Sequence, residues 1–315
     1  MISSNTEYRS QGHFSRAFQR LSEKKIAVVC MTLILSIYIV GIFAPYIAPY
    51  GYNEQDYTAI REAPSFDHLI GTDFKGRDVL SRVIWGIQNT VIITVISIVT
   101  GSLAIGVTLG LVAGYYGGKV DSIIMRIGEL FASFPDILLV ILLAATLRPR
   151  ILDSVRWIED NTFLDGLVRS GIADYFVISV ALVSFSWVGM ARLVRGQVLV
   201  IKQLQYIDAA KASGAGMVRT VFIHTLPNII SPVVVTVSMG MGTLIGTEII
   251  LSWLGLGIQP PRPSLGTMLL EAGSISALRA VPWMLIGPGL VAWTLVLSWN
   301  LLGDALNDVL NPLTR

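Results

Sequence analysis

Six long apolar runs, separated by polar segments, constrain what this 315-residue chain can fold into. A bilayer interior offers no water to backbone amides, so a chain crosses it only as helices or as a closed barrel. A spanning helix needs about 20 mostly apolar residues, and each run is near that length. Only 14% of the residues are charged, too few for a soluble domain. We predict an all-α integral membrane protein with six transmembrane helices, at residues 26–48, 90–115, 123–146, 176–194, 229–251 and 284–302.

The ends of the chain indicate its orientation. Residues 1–25 are polar and basic, and the apolar run that follows is longer than a signal-peptide core and lacks a small-residue cleavage pattern. We interpret that run as a retained first span rather than a cleaved signal, with a cytoplasmic tail before it. Six spans then place both termini in the cytoplasm, although Lys and Arg show only a weak excess on that side. The remaining segments become an extracytoplasmic loop at 49–89, a transmembrane core at 90–303 with a second such loop at 147–175, and a cytoplasmic C-terminus at 304–315.

A polar island at residues 206–228 separates the fourth and fifth apolar runs. Its first half contains good helix formers around the small Ala209 and Ala210, and Gly214 is placed to end that helix in a left-handed cap. Apolar residues then recur at helical spacing, and Pro227 is expected to close a second short helix. The predicted structure is helix, glycine elbow, helix. Its small side chains suit docking into a groove of another protein, but spacing alone equally fits an ordinary cytoplasmic loop.

The island resembles the EAA loop of permeases from ABC importers, the element that contacts the ATPase. The pattern His-x-Leu-Pro-Asn at residues 224–228 is similar to the form found in the dipeptide/oligopeptide/nickel branch. Asp208 stands where glutamate is usual, and His224 stands where isoleucine is commoner. The resemblance implies a type I importer fold and assigns ATPase coupling to Asp208, Ala209, Ala210, Gly214, His224, Leu226 and Pro227.

Two other stretches carry the same resemblance, GTDFKGRDVLSRVIWG at residues 71–86 and LSWLGLGIQPPRPSLG at residues 251–266. We expect residues 78–86 to form an amphipathic helix that rests on the membrane surface. The charges of this segment either contact the substrate-delivering protein or fold their own loop. The motif residues are Gly71, Thr72, Asp73, Gly76, Arg77 and Asp78. The long loop at 147–175 either packs on a partner or is a decoration of this lineage.

Acidic residues inside the apolar runs are candidates for a translocation path. An ionisable group within a membrane is costly and marks either function or an internal partner. We expect Glu248, Asp136 and Ser252 to line the path. For Glu248, a hydrogen bond between helices is an equally good alternative.

The resemblance also implies the partners. The chain would be the second of two different permease subunits in a prokaryotic inner membrane, working with two ABC ATPase subunits and an extracytoplasmic substrate-binding protein. ATP and Mg would be bound by the ATPases, and this chain would be non-catalytic and carry no cofactor. Gly117-Gly118-Lys119 is its nearest approach to a phosphate loop, but Val120 stands where Ser or Thr is needed. Scattered histidines and basic residues give no sign of a metal site or of nucleic-acid binding.

Substrate and mechanism have alternatives. Peptides are the expected substrate, and nickel chelates, glutathione and oligosaccharides are carried by similar permeases. A secondary transporter or channel working without ATPases is the main competing class. Inverted repeats and matching intramembrane charges in both halves would favour it, and neither is visible by eye. An exporter would leave the extracytoplasmic loops without a receptor to contact.

Overall fold

The computed structural model describes residues 19–168 and 170–310, and these form helices joined by loops. Most of the predicted tail at residues 1–25 and the end of the segment 304–315 lie outside the described residues. Five helices are long and apolar enough to cross a membrane, and a bent pair makes a sixth if it forms one span. The prediction of an all-α membrane protein is confirmed. In the described residues, the helices longer than four residues are α1 Lys25–Ile42, α2 Val79–Tyr116, α3 Gly118–Ala132, α4 Asp136–Asn161, α5 Ile172–Ile201, α6 Gln205–Ala212, α7 Met217–Trp253, α8 Leu265–Ala272, α9 Ile275–Ala280 and α10 Trp283–Leu310.

The third apolar run, which we predicted as one spanning helix, is bent in the structure. It is divided into α3 and α4, whose axes meet at 87°. The break lies just before Pro135, whose backbone is extended at φ −59° and ψ 123°. Proline lacks the N–H that would continue the helix, and it restricts the residue before it. Helix α4 then continues as far as Asn161, well into the expected loop at 147–175, with Pro149 inside it. Polar side chains by themselves do not end a helix.

The amphipathic helix expected on the membrane surface at residues 78–86 is instead the beginning of α2. Asp78 caps the helix, since its carboxylate accepts a hydrogen bond from the Ser81 N–H at 2.7 Å. Val79 and Val83 are buried in a core cluster that includes residues of α7, α8 and α10. The apolar face that we assigned to lipid is therefore covered by protein.

Helices α2 and α5 approach each other closely through glycines of α2. A Cβ atom added at Gly106 would lie 2.8 Å from the Met190 Cβ, and one added at Gly110 would lie 2.7 Å from the Ala191 carbonyl oxygen. Real Cβ atoms do not come so near, so only glycine fits at these points. Small residues at helix contacts are the usual way to pack helices in lipid, where no hydrophobic effect draws them together.

The connectivity separates two ends of the bundle. Helix α5 ends shortly before α6 and α7 begins shortly after it, so α6 lies at the end where α5 finishes. The residues between α7 and α8 lie at the opposite end, together with the start of α5. A site at α6 and a site at the start of α5 are therefore on opposite sides of the membrane core.

Candidate functional site

Helix α6 and the turn after it form a short projecting knob, residues 205–215. Gly214 has φ +83°, in the left-handed region that favours glycine. The Ala215 N–H donates to the Ala210 carbonyl at 3.0 Å, and the Ser213 N–H donates to the Ala209 carbonyl at 3.0 Å. This is a Schellman cap, in which the turn satisfies carbonyl groups at the end of the helix. The predicted glycine elbow is confirmed.

The knob is held to the membrane helices by one buried side chain. Among the α6 side chains that the structure describes, only Ile207 is buried, with 1% of its surface exposed. It lies in a cluster with Leu111 of α2, Val198 of α5 and Ile229 of α7. Asp208 and Ala209 are exposed. A single apolar anchor therefore joins the knob to three spanning helices.

The second half of the island differs from the prediction, because Pro227 does not end a helix. It lies in the first turn of the segment Leu226–Trp253, where its missing N–H is tolerated. A π-helical turn, Thr220–Thr225, precedes this segment and joins it to Met217–Arg219. The side chain of Asn228 donates to the His224 carbonyl at 2.6 Å. Helix α7 consequently runs without a break from the knob across the core.

One hydrogen bond joins the two parts of the island, and a second joins the segment before it to α2. Asn228 Nδ2 donates to the Tyr206 hydroxyl at 3.2 Å, which links the start of α6 to α7. Lys202 Nζ donates to the Tyr115 carbonyl at 2.8 Å, at the end of α2, where a cation also complements the helix dipole. His224 and Leu226 are partly buried and Pro227 is exposed, so these three residues belong to α7 rather than to the knob.

An apolar surface beside the knob is left uncovered in this chain. Val218 and Phe222 are exposed, whereas Val221 and Thr225 are buried. The exposed pair and Ile223 line an open groove of about 650 Å³. A contiguous exposed apolar patch marks a site of interaction with a protein or a membrane. The knob and this groove together offer a partner both small and apolar side chains.

Sequence reasoning missed Ile207, Tyr206 and Asn228 as structural members of this site. Ile207 was detectable, because it is the only large aliphatic residue in Tyr206–Ser213, which reads YIDAAKAS. Such a residue on a polar helix is usually the one that packs inward. The hydrogen bond between Tyr206 and Asn228 joins residues on different helices, and spacing along the chain carries no signal for it.

Replacing Ile207 by alanine should loosen the knob without unfolding the core. Truncating a buried isoleucine costs about 2 kcal/mol or more, which corresponds to roughly 30-fold faster opening of α6. Hydrogen–deuterium exchange of the purified chain should show this acceleration at residues 205–212 and unchanged protection at 233–250. Ile207→Val, which keeps most of the contact, should exchange nearly as the unchanged protein does. Equal acceleration in both segments would contradict a local anchor.

The three residues that we predicted to line the path have different surroundings in this chain. Glu248 and Ser252 have no accessible surface. Ser252 Oγ donates to Glu248 Oε1 at 2.8 Å, and Thr90 Oγ1 of α2 donates to Glu248 Oε2 at 2.9 Å. These contacts correspond to the alternative of a hydrogen bond between helices. Asp136 lies apart from them, exposed at the first residue of α4 beside the bend.

The residues of the loop motif lie in a buried charge cluster at the start of α2. Asp73 Oδ2 accepts hydrogen bonds from Arg77 Nε and from Arg82 Nη1, both at 2.6 Å. Arg82 Nη1 also contacts Glu271 of α8 at 2.8 Å, and Arg77 Nη2 lies 3.3 Å from the same carboxylate. Buried charges are stable only when paired in this way. Of the two interpretations of these charges, folding their own loop is the one that the contacts support.

The other motif residues shape the same loop. Gly71 and Gly76 have positive φ angles of 78° and 71°, and a Cβ atom on Gly76 would lie 2.0 Å from the Asp56 carbonyl oxygen. Thr72 is buried and donates to the Ala59 carbonyl. Asp78 also accepts from His68 Nδ1, at 3.0 Å. At the surface of this loop, hydrogen bonds from Thr58 lower the pKa of the Asp56 carboxyl.

Comparison with known proteins gives matches over nearly the whole chain. The family described as "Binding-protein-dependent transport system inner membrane component" matches residues 106–315, and "N-terminal TM domain of oligopeptide transport permease C" matches residues 13–64. The dipeptide transport system permease protein DppC of Alkalihalophilus pseudofirmus is 34% identical over 97% of this chain and 92% of its own length. The glutathione transport system permease protein GsiD of Pectobacterium atrosepticum is 39% identical over 94% of this chain and 89% of its own length. The oligopeptide transport system permease protein OppC of Bacillus subtilis is 35% identical over 95% of this chain and 89% of its own length.

Proposed function

Because the chain belongs to the family of binding-protein-dependent transport system inner membrane components, we propose that its knob is the element through which ATPase subunits drive transport. It is a multi-pass inner membrane protein and a permease subunit of an ABC importer. The observation that carries the proposal is the construction of the knob. A small-residue helix projects from the bundle, ends at a glycine cap and is joined to three spanning helices by Ile207.

The geometry supports a mechanical role for the knob. Helix α5 leads into it and the unbroken α7, Met217–Trp253, leads away from it. A displacement of α6 by the ATPases would move both helices, because Ile207 is packed between them. The two helices would rock as rigid bodies and open the path alternately to each side. Asp208, Ala209 and Ala210 would contact the ATPase, and Gly214 would keep the cap of the knob closed.

The proposed complex contains two different permeases, two ABC ATPases that bind ATP and Mg, and an extracytoplasmic substrate-binding protein. In it, hydrolysis takes place in the ATPases and the knob lies in the cytoplasm with both termini. The exposed groove beside Phe222 supports the presence of a partner at this end. The predominance of basic residues near the cytoplasmic ends supports this orientation only weakly.

The proposed substrate is a short peptide. Three curated relatives are named as permeases for dipeptides, oligopeptides and glutathione, which is itself a tripeptide. Nickel chelates and oligosaccharides remain alternatives from the wider family. In this proposal, selection of the substrate occurs first in the binding protein, and the permease provides the path.

Affinity purification of the tagged chain from its native membrane in mild detergent tests the proposal. We expect a second permease and ATPases with phosphate loops to co-purify, and the reconstituted complex to import labelled alanyl-alanine only with ATP and the binding protein. The matched control is the same complex with a catalytically inactive ATPase. A chain that purifies alone and transports without ATP would establish the competing carrier mechanism.

A further inference from the structure

Buried polar atoms without a hydrogen-bond partner are concentrated at one place in the described residues. Five side chains have such an atom, and four of them belong to elements that meet near the start of α5. Native proteins pair nearly all buried polar groups, so a group of unpaired ones usually indicates a bound ligand or ordered water. The four atoms are Trp85 Nε1, Arg148 Nε, Ser179 Oγ and Arg262 Nε.

The contacts at this junction join four elements. Asn89 of α2 accepts a hydrogen bond from the Tyr175 hydroxyl of α5, and its Nδ2 donates to the Pro263 carbonyl at 2.6 Å. Arg262 Nη1 donates to the same Tyr175 hydroxyl at 3.2 Å, and its guanidinium lies over the Tyr175 ring at 5.9 Å. Arg148 of α4 contacts Asp174, the neighbour of Tyr175. Ser179 lies one turn further along α5 and is buried.

The charges of this junction do not balance. Asp174 is held on both sides, since Oδ1 lies 3.1 Å from Arg148 Nη2 and Oδ2 accepts the Gln259 N–H at 3.1 Å. In the part of the chain that the structure describes, no carboxylate lies within ion-pair distance of Arg262. Asp174 therefore neutralises Arg148 and leaves Arg262 without a carboxylate partner. Among the residues that the structure describes, the junction has one positive charge in excess, which matches a monoanion.

The junction is accessible from the surface and lies at the end of the bundle where a substrate would enter. Arg262 and Tyr175 keep part of their surface exposed, and 26% of the Arg148 side chain is exposed. The start of α5 and the segment between α7 and α8 lie at the end of the bundle opposite the knob. In the proposed orientation this is the extracytoplasmic end, where an imported substrate arrives.

We propose that Arg262, supported by Arg148 and Tyr175, binds the carboxylate of a peptide substrate as it enters the permease. This inference rests on the proposed function, because the ligand is the substrate class proposed above. Within the described residues, the Arg262 side chain makes one hydrogen bond, through Nη1, which leaves Nη2 and the buried Nε without a partner. An arginine fork binds a carboxylate through two parallel N–H groups, and this pairing is among the stronger hydrogen bonds in proteins.

Uptake of alanyl-alanine and of its C-terminal amide by the complete reconstituted transporter tests the site. Arg262→Gln should raise the KM for alanyl-alanine about tenfold and leave uptake of the amide nearly unchanged. Arg262→Lys, which keeps the charge, should raise the KM for alanyl-alanine less than Arg262→Gln does. Arg150→Gln is the matched control, because Arg150 is an exposed arginine on the same helix as Arg148.

The ratio of the two uptake rates separates a carboxylate site from a folding defect and from selection by the binding protein. A folding defect lowers both rates equally, and any preference of the binding protein is the same for the unchanged and the variant permease. If Arg262→Gln leaves the ratio unchanged, the carboxylate site is wrong while peptide import stands. An equal loss for both peptides also overturns it and instead indicates a structural role or a contact with the binding protein. If the unchanged transporter imports neither form, the proposed substrate class is wrong, and the carboxylate site that rests on it is wrong as well.

Discussion

We expect substrate uptake to fall at least tenfold when Gly214 is replaced by aspartate, while membrane insertion of the chain stays unchanged. An L residue at φ +83° is strained by about 1 kcal/mol, and a carboxylate at the end of α6 is repelled by the helix dipole. A helix as short as Gln205–Ala212 is marginal without its cap, and Ile207 alone cannot hold its direction. Nothing lies within 4 Å of a Cβ atom at Gly214, so the rest of the chain is not disturbed. The measurements are uptake and substrate-stimulated ATPase activity of the purified complex.

Gly216→Asp is the matched control for this change. It places the same charge two residues further along, where φ is −71° and ψ is 173° and any residue is accepted. Gly216 caps the start of α7, a position at which aspartate is favourable. We expect this variant to retain most of its uptake. Normal substrate-stimulated ATPase activity in a complex that carries Gly214→Asp would refute the role of the knob.

Replacing Asp73 by alanine should destabilise the folded chain by about 3–5 kcal/mol, as removal of one member of a buried ion network does. Asp73 is 1% exposed and accepts hydrogen bonds from Arg77 and Arg82, so its loss leaves two buried guanidinium groups with only Glu271 between them. The effect should appear as a lower midpoint of thermal unfolding and as rapid proteolysis within residues 49–78. The knob, at the other end of the bundle, should keep its exchange protection.

The exposed Asp67 in the same loop provides the control for Asp73. Asp67→Ala removes an equal charge without opening a buried pair, and the Tyr50 hydroxyl bonds only to its backbone carbonyl. We expect a change of less than about 0.5 kcal/mol. The double variant Asp73→Ala/Arg82→Ala should cost less than the sum of the single changes, since each removal relieves the charge that the other leaves unpaired. Strict additivity would show that the two residues are not coupled.

The positions of the spans and of the knob were predictable because their signals are local. Apolar runs near 20 residues appear in the structure as α1, α2, α5, α7 and α10, and the glycine at position 214 adopts the positive φ that its place after a short helix predicted. The 87° bend at Pro135 within the predicted third span was not predicted, although the proline is visible in the sequence. Pro227 showed the opposite error, since a proline in the first turn begins a helix as readily as it ends one.

The partners of individual side chains were decided by the tertiary structure. The hydrogen bond from Thr90 to Glu248 joins α2 to α7, and its two residues are far apart in the sequence. Glu271 completes the charge cluster around Asp73 from another distant segment. The sequence by itself determined that this is a helical membrane protein with a capped polar knob, because periodicity, length and glycine placement act within one segment. Burial and pairing depend on which segments meet, and only the packed bundle decided that.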